Sequence, residues 1–352
     1  MVSHPGPTQR PHHPKPAPDG ARLHGQHLQR FALSRTDNGD GTHTDHWVLD
    51  QPHAPYLFMI AAGPFAETKW ETTDGLELSV YMDSLYAEYT ELIFGRTDEM
   101  IDFFEDAYGV EFPWPKYAQV VVHDFVSGAM ENTSATIHMS ALQHDARAHL
   151  DRTYEEYISH ELAHQWFGDL VTCEDWSQIA LNEAFATYSE YLWMEHYYGK
   201  EEAEHHLQEF WQNYLAEAET KRKPLIRYHY VHPEDVFDAH SYDKGACLLH
   251  WLRYTVGDKA FFASLKHYLE THAYSAVEVN DLRLAFEDVT GRDLKPFFDQ
   301  WWLSRGHASL KLDYTVDSAG TQLELRVQQL QNTKYQPLYQ FETELTLSEQ
   351  AP

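Results

Sequence analysis

Two histidines and two glutamates have the types and spacing of a catalytic metal site. His160 and His164 in the segment HELAH are four residues apart, so on a helix their imidazoles lie on the same face, one turn apart. Glu161 follows the first histidine, where its carboxylate can reach a water molecule on the same ion. Glu183, nineteen residues after His164 in a second predicted helix, can add one carboxylate. Three protein ligands with an open fourth position indicate a catalytic zinc site.

Two further segments carry polar groups that suit such a site. The chain has 24 histidines, so the motif HExxH can arise by chance and needs this support. In the segment SGAMEN, Glu131 comes three residues after Gly128. A glycine lets the main chain approach a ligand closely. Tyr242 in HSYDKGACLLHWLR comes just before a predicted helix. Taken alone, Glu131 reads as a surface carboxylate and Tyr242 as a packing residue with a hydrogen-bonded hydroxyl.

The order of these segments resembles the aminopeptidase N family of gluzincin metallopeptidases. GAMEN, then HExxH, then NEAFA and then Y-x-K-G occur in the family's order, and the resemblance covers roughly residues 23–316. It implies an α+β fold: a thermolysin-like, mainly helical zinc metallopeptidase domain with a small mixed sheet, flanked by partial β-domains. It also implies one zinc ion and, as substrates, peptides with a free N-terminus.

The resemblance implies a role for each residue of the reaction centre. His160, His164 and Glu183 would bind the zinc ion. Glu161 would act as the general base and acid, taking a proton from the attacking water and passing one to the leaving amine. Tyr242 would donate a hydrogen bond to the developing oxyanion. Zinc-assisted hydrolysis of an amide needs these functions, because water must be activated and the oxyanion must be stabilised.

The resemblance also implies how the substrate is held. Glu131 would bind the free α-amino group, with Glu183 as a second contact, and such an anchor makes a peptidase an exopeptidase. The main chain of the substrate would lie along the GAMEN segment, and two flanking residues would line the pocket for its first side chain. The remaining substrate-binding positions are Ser127, Gly128, Ala129, Met130, Asn132 and Phe237.

Periodicity and turn residues predict the elements that position these groups. The turn DNGDG between HLQRFAL and THTDHWVL predicts a hairpin, and PYLFMIAAG predicts a buried strand. A helical stretch is expected over about 85–108. Further strands are expected over 76–82, 117–125 and 135–141, and in LKLDYTV, QLELRVQ and FETELTL. Helices are expected over 153–168, 179–198, 201–219, 243–256, 258–271, 280–290 and 293–304.

Composition and the resemblance together predict four parts. The composition predicts a disordered Pro/His-rich leader over residues 1–22. The resemblance implies the C-terminal remnant of an N-terminal β domain over 23–72, the gluzincin catalytic domain over 73–306 and the start of a C-terminal β-sandwich domain over 307–352. Family members are normally longer, and the second amine anchor that their N-terminal domain adds has no match here. Exposed apolar patches are therefore expected where further domains would pack.

Charge and composition exclude several classes of partner. The formal net charge of −29 argues against nucleic acid, which requires a basic surface. Cys173 and Cys247 are far apart and predict free thiols without a part in the site. No apolar run is long enough for a membrane span, and the first residues lack the apolar core of a signal peptide. A cytoplasmic protein without a membrane partner is expected, and its oligomeric state is left open.

Three other functions are compatible with parts of the pattern. A thermolysin-type endopeptidase shares HExxH and the distant glutamate, although GAMEN and Tyr242 favour an exopeptidase. A catalytically impaired zinc-binding fragment would keep the ligands after losing its flanking domains. A histidine-rich metal-storage protein would bind several metal ions per chain. Zinc content and the cleavage of unblocked and N-acetylated substrates separate these cases.

Overall fold

The described part of the chain starts with the predicted hairpin. The computed structural model describes residues 31–318 and 321–343, so the predicted leader at 1–22 lies outside the described residues. Strand β1 (Phe31–Asp37) pairs antiparallel with β2 (His43–Val48). Gly39 and Gly41 in the connecting turn have φ of 76° and 83°, a region in which glycine is favoured. The sequence DNGDG therefore forms the turn for which its residues are suited.

A five-stranded mixed sheet follows, in the order β3-β4-β5-β7-β6. The β4–β5 and β5–β7 pairs are parallel, and the two outer pairs are antiparallel. The short strand β6 therefore lies at one edge. The strands are β3 (Ala66–Glu71), β4 (Glu77–Met82), β5 (Lys116–Val122), β6 (Ala129–Met130) and β7 (Ala135–Met139).

Both faces of this sheet are buried, which explains why its central strands are apolar runs rather than alternating ones. On one face Val80 and Val121 join the main core, where they pack with the helices. On the other face Tyr81 and Val120 belong to a smaller core that Trp47 and neighbouring residues cover. The segment before the sheet thus shields the face that the helices leave free.

The helical part is built around one central helix, α5, which contacts α4, α6 and α7. Nearly all of α5 is buried on every side except at its C-terminal end. Strands β8 (Val171–Cys173) and β9 (Ser275–Val277) form a small parallel pair beside it. The helices are α1 (Thr90–Phe94), α2 (Thr97–Tyr108), α3 (Ala146–His149), α4 (Glu155–Ala163), α5 (Ala180–Tyr197), α6 (Lys200–Ala218), α7 (Gly245–Val256), α8 (Asp258–His272), α9 (Val279–Thr290) and α10 (Lys295–Trp301).

The prediction of a buried strand in PYLFMIAAG is wrong. This segment forms a single 3-10 turn, Pro55–Leu57, and otherwise irregular backbone. Its apolar residues Leu57 and Ala61 are buried, Ala61 in the smaller core, so the run serves packing without pairing with a strand. The Leu57 carbonyl accepts a hydrogen bond from the side chain of Asn132 at 3.1 Å instead of from a neighbouring strand.

The boundaries of several helices also differ from prediction. The stretch 85–108 is divided at Gly95 into α1 and α2. The helix expected over 153–168 ends at Ala163, and the residues that follow from His164 onward form turns. The helix expected over 293–304 is limited to Lys295–Trp301. The division of the chain at residues 72 and 306 stays a prediction.

Beyond the helices, β10 (Leu310–Val316) and β11 (Leu323–Gln329) form an antiparallel hairpin. Two of the three strands predicted here are thus present. In FETELTL, residues 341–343 are not in a strand, and the rest lies outside the described residues. One face of the hairpin is apolar and exposed, with the cross-strand pairs Leu312–Val327 and Tyr314–Leu325.

We expect this exposed apolar face to bind apolar dyes and to favour self-association, because such patches are rare on monomers. Replacing Leu312 and Leu325 by threonine keeps the β-propensity and should lower dye fluorescence and the mass measured by light scattering. Replacing Lys311 and Arg326 on the opposite face by threonine is the matched control. A wild-type chain that binds no dye and stays monomeric would contradict the expectation.

None of the helices in the described ranges is long and apolar enough to cross a membrane.

Candidate metal centre and active site

The three predicted metal ligands meet between α4 and α5. His160 lies in the last turn of α4, and His164 directly follows that helix with helical backbone angles. Their Nε2 atoms are 3.2 Å apart. The Oε2 atom of Glu183, in the first turn of α5, is 3.5 Å from the Nε2 of His160 and 3.2 Å from that of His164. All three donor atoms therefore point at one small volume.

The hydrogen bonds behind the imidazoles fit a cation in this volume. The Nδ1 of His164 donates to the Phe167 carbonyl at 2.9 Å, since a carbonyl can only accept. The Nδ1 of His160 faces the Oε1 of Glu190 at 2.7 Å. In their neutral form both rings therefore present a lone pair at Nε2 toward the same carboxylate. Three electron-pair donors that face one another repel unless a cation lies between them, and two imidazoles with one carboxylate suit zinc.

The surrounding charges also favour a cation. Burial lowers the pKa of His164, but the Glu131 and Glu183 carboxylates outweigh it and raise that pKa to about 9. Burial likewise lowers the pKa of His160, while Glu183 and Glu190 raise it well above its ordinary value. These shifts show that the carboxylates of the site stabilise positive charge between them. The same carboxylates would stabilise a divalent metal ion.

Glu161 faces the cavity from the residue after His160. Its side chain is buried, and its Oε2 atom has no hydrogen-bond partner among the described residues. Burial, with Glu131 and Glu183, raises the pKa of Glu161 to about 8 against the opposing effect of the two histidines. A buried carboxyl group whose pKa lies near neutrality can both take up and release a proton.

A cavity of about 580 Å³ joins the three predicted metal ligands to the other predicted residues. Every site residue predicted from the sequence lines it except Asn132. Asn132 is buried behind the cavity wall, where its amide donates to the Leu57 carbonyl at 3.1 Å. The lining residues with predicted substrate contacts are Ser127, Gly128, Ala129, Met130, Glu131, Phe237 and Tyr242.

The GAMEN segment is held as the edge strand of the sheet. Ala129 and Met130 pair with β7, and no other strand of the described residues lies on the far side of β6. Gly128 is required for a packing reason, since an added Cβ would lie 2.8 Å from the Cε1 of Tyr157. Gln165, which follows HELAH, donates from Nε2 to the Glu131 carbonyl at 3.1 Å. This contact ties the segment to the metal-binding helix.

Glu131 itself is buried at the cavity wall with only 6% of its surface exposed. Burial raises the pKa of its carboxyl group, Glu183 raises it further and His164 opposes the change. A buried carboxylate is costly unless a cation pairs with it. Glu131 therefore provides a strong attraction for a positively charged group that enters the cavity.

Tyr242 lies in a π-helical turn, His240–Lys244, that leads into α7. Its ring stacks on that of His160 with 6.0 Å between centroids. The turn comes this close because Gly245 abuts α5: an added Cβ would lie 2.4 Å from the Cβ of Ala184, the neighbour of Glu183. Burial, with Glu183 and Glu131, raises the pKa of Tyr242 well above its ordinary value. Its hydroxyl therefore keeps its proton and can donate it.

Sequence reasoning missed several residues of this site. Glu190 holds His160, and its position seven residues after Glu183, on the same face of α5, is a signal that could have found it. His206 and Tyr56 line the cavity without any motif. The Tyr56 hydroxyl accepts a hydrogen bond from Asn182 at 3.1 Å. Tyr56 comes from the segment predicted as a domain remnant, so that segment takes part in the cavity.

A second group of possible metal ligands has its charges already balanced. Glu217, Asp238 and His240 lie together, but Arg227 forms two hydrogen bonds to the Asp238 carboxylate and Lys221 also pairs with it. The Nδ1 of His240 bonds to the Oε2 of Glu217 at 2.7 Å. These contacts use the groups in ion pairs, in contrast to the three facing donors at His160.

The two cysteines are free thiols, as predicted. Cys173 is buried in β8 and Cys247 is partly buried in α7. Burial raises the pKa of both thiols, to about 12 for Cys247. Neither is therefore a reactive thiolate at neutral pH.

Known proteins with similar sequences are aminopeptidases. Aminopeptidase M1 of Arabidopsis thaliana is 32% identical over 268 residues, which cover 72% of this chain and 30% of that protein. Aminopeptidase N of Streptomyces lividans is 32% identical over 294 residues, which cover 78% of this chain and 34% of that protein. The chain thus spans about a third of the length of these relatives.

A solved structure shares the fold. The crystal structure of Legionella pneumophila aminopeptidase A in complex with aspartic acid superposes with a TM-score of 0.74 at 20% identity, covering 87% of this chain and 36% of that one. The mixture of helices and small sheets described above is therefore a known arrangement. The model of the peptidase family M1 domain matches residues 93–301, from α1 to the end of α10. The chain belongs to peptidase family M1.

Proposed function

We propose that this chain is a zinc-dependent aminopeptidase that hydrolyses the N-terminal peptide bond of peptides. The observation that carries the proposal is the meeting of three metal-binding donors with the buried carboxylates of Glu161 and Glu131 in one cavity. Membership of family M1 and the aminopeptidase names of the relatives support it. We further propose the thermolysin-like arrangement, in which the helices hold the ligands and the edge strand faces the substrate.

His160, His164 and Glu183 would hold the zinc ion, which would polarise the scissile carbonyl and lower the pKa of a water molecule. Glu161 would take a proton from the attacking water and deliver one to the leaving amine. Its burial and its pKa of about 8 suit both steps, because neither form of the carboxyl group is strongly favoured near neutral pH.

The scissile carbonyl becomes an oxyanion during the attack, and Tyr242 would donate a hydrogen bond to it. The protonated phenol is fixed against His160, so little reorganisation is needed when charge develops. The substrate main chain would run along the free side of β6, where an added strand can form main-chain hydrogen bonds. Ser127 and Phe237 would contact the first side chain.

Glu131 would bind the α-amino group and thereby set the cleavage position. Only the first residue of a peptide carries this ammonium group, so a buried carboxylate near the zinc selects the terminal bond. A thermolysin-type endopeptidase has no use for a buried anion at this position. The location of Glu131 in the cavity therefore favours the exopeptidase over the endopeptidase.

One comparison tests the proposal. The purified chain is assayed for zinc content and for hydrolysis of leucine p-nitroanilide and its N-acetylated form. We expect about one zinc ion per chain and much faster cleavage of the unblocked substrate than of the acetylated one. Faster cleavage of the acetylated compound would indicate an endopeptidase, and zinc binding without either cleavage would indicate an impaired fragment. Several metal ions per chain would indicate metal storage.

Tyr242→Phe should lower kcat by about 10²-fold with little change in KM, because one donor to the oxyanion is lost while the ring still stacks on His160. Steady-state kinetics on the unblocked anilide measure both constants. Tyr254→Phe, at an exposed tyrosine of α7, is the matched control and should keep wild-type kinetics. A Tyr242→Phe variant with wild-type kcat would remove Tyr242 from the mechanism.

A further inference from the structure

A further histidine lies behind the proposed zinc ligands and reaches them through one carboxylate. We infer that His206 of α6 is a positioning residue of the metal centre: it fixes the carboxylate of Glu190, and through Glu190 the ring of His160. This inference rests on the proposed zinc site. His206 does not touch the three metal-binding donors, so its effect is on the geometry and strength of metal binding rather than on the reacting atoms.

Glu190 uses its two oxygens for two different histidines. Its Oε1 atom is 2.7 Å from the Nδ1 of His160, and its Oε2 atom is 3.0 Å from the Nε2 of His206. The side chain of Glu190 is only 12% exposed, so these two contacts replace most of the hydrogen bonds that water would otherwise donate to the carboxylate. Two bonds at opposite oxygens fix the rotation of a carboxylate, whereas a single bond leaves it free to turn.

The position of His206 is itself well defined. Its ring packs edge-on against Phe210, one turn later on α6, with 4.5 Å between centroids. Its Nδ1 atom faces the Oε2 of the exposed Glu209 at 3.5 Å. Its Nε2 donates to Glu190, because an ionised carboxylate can only accept. Because α6 packs along α5, His206 lies above the segment of α5 that carries Glu190.

Loss of His206 would change the metal centre through Glu190. The Oε2 atom of Glu190 would be left buried without its donor, which is costly for a charged acceptor. The carboxylate would then turn toward any remaining donor and give His160 a weaker, less directed partner. Groups that orient a metal-ligating histidine typically contribute about 10- to 100-fold to metal affinity, and His206 acts one bond further away.

The test compares three variants of the full chain. His206→Leu removes the donor and keeps an apolar contact to Phe210, and His206→Gln keeps an N–H donor at a similar distance from the main chain. His205→Leu is the matched control, since His205 is the exposed neighbour on the same helix. Zinc-loaded protein is mixed with a chromogenic zinc chelator, and the rate of zinc transfer is followed. The rise in Tm on adding zinc to the metal-free protein is measured in parallel.

We expect His206→Leu to release zinc about tenfold faster than the wild type. It should also show a smaller zinc-dependent rise in Tm, because stabilisation by a ligand follows its affinity. His206→Gln should largely restore both values, and His205→Leu should match the wild type. A purely structural role would lower the Tm of the metal-free protein and leave zinc release unchanged, and this result would overturn the inference.

Two further outcomes remain distinguishable. If the His206→Leu chain does not fold, His206→Ala carries the same expectations for zinc release. If the wild-type chain takes up no zinc, the proposed function itself fails. If the wild type holds zinc and every His206 variant releases it at the wild-type rate, only the positioning role of His206 is refuted.

Discussion

A Glu161→Gln variant is expected to lose hydrolysis of the unblocked anilide by about 10³-fold or more while keeping its zinc. The amide has nearly the shape of the carboxylate but cannot take a proton from water. Glu161 is not one of the three converging ligands, so their donor atoms are unchanged. Kinetics together with the zinc content of the same sample measure the two effects separately.

The environment of Glu161 gives a reason to expect so large a loss. Its Oε2 atom is buried without a hydrogen-bond partner among the described residues. No carboxylate or histidine of these residues is therefore bonded to that atom and placed to accept the proton instead. Glu204→Gln, an exposed carboxylate-to-amide change on α6, is the matched control and should keep wild-type activity. A Glu161→Gln enzyme with more than about a tenth of wild-type kcat would exclude Glu161 as the general base.

The convergence of His160, His164 and Glu183 could be predicted because their geometry is local or nearly so. A spacing of four on a helix determines that His160 and His164 share a face, and this holds even though α4 ends between them. Glu183 required the additional expectation that two consecutive helices pack together. The residues that hold the ligands could not be found in this way, since the contact of His206 with Glu190 depends on how α6 lies on α5.

The sheet shows the same division between pattern and packing. Strands β4, β5 and β7 could be predicted because short runs of β-branched and apolar residues favour a strand over other secondary structure. PYLFMIAAG is also an apolar run, with one β-branched residue, and forms no strand. Leu57 and Ala61 are buried, whereas Phe58 and Ile60 are exposed, and Tyr56 meets Asn182 beside the cavity. Burial of single side chains does not specify backbone pairing. The pattern of apolar residues within one segment does not show whether another strand is available to pair with it.

Glu131→Gln is expected to remove the preference for a free N-terminus. We expect kcat/KM for the unblocked anilide to fall by about 10²- to 10³-fold, since truncating one partner of a buried charge pair costs about 2–5 kcal/mol. The rate with the N-acetylated anilide should not fall, because that substrate has no ammonium group to lose. The measured quantity is the ratio of the two kcat/KM values, wild type against variant.

Two controls separate this role from a general effect on the cavity. Glu131→Asp keeps the charge on a shorter side chain and should retain part of the preference for the unblocked substrate. Zinc content should stay the same in both variants, because Glu131 is not one of the converging donors. If Glu131→Gln slows the blocked and unblocked substrates equally, Glu131 supports the shape of the site and the anion that anchors the amine must be sought elsewhere. Glu183 would then be the first candidate, since its carboxylate already faces the same cavity.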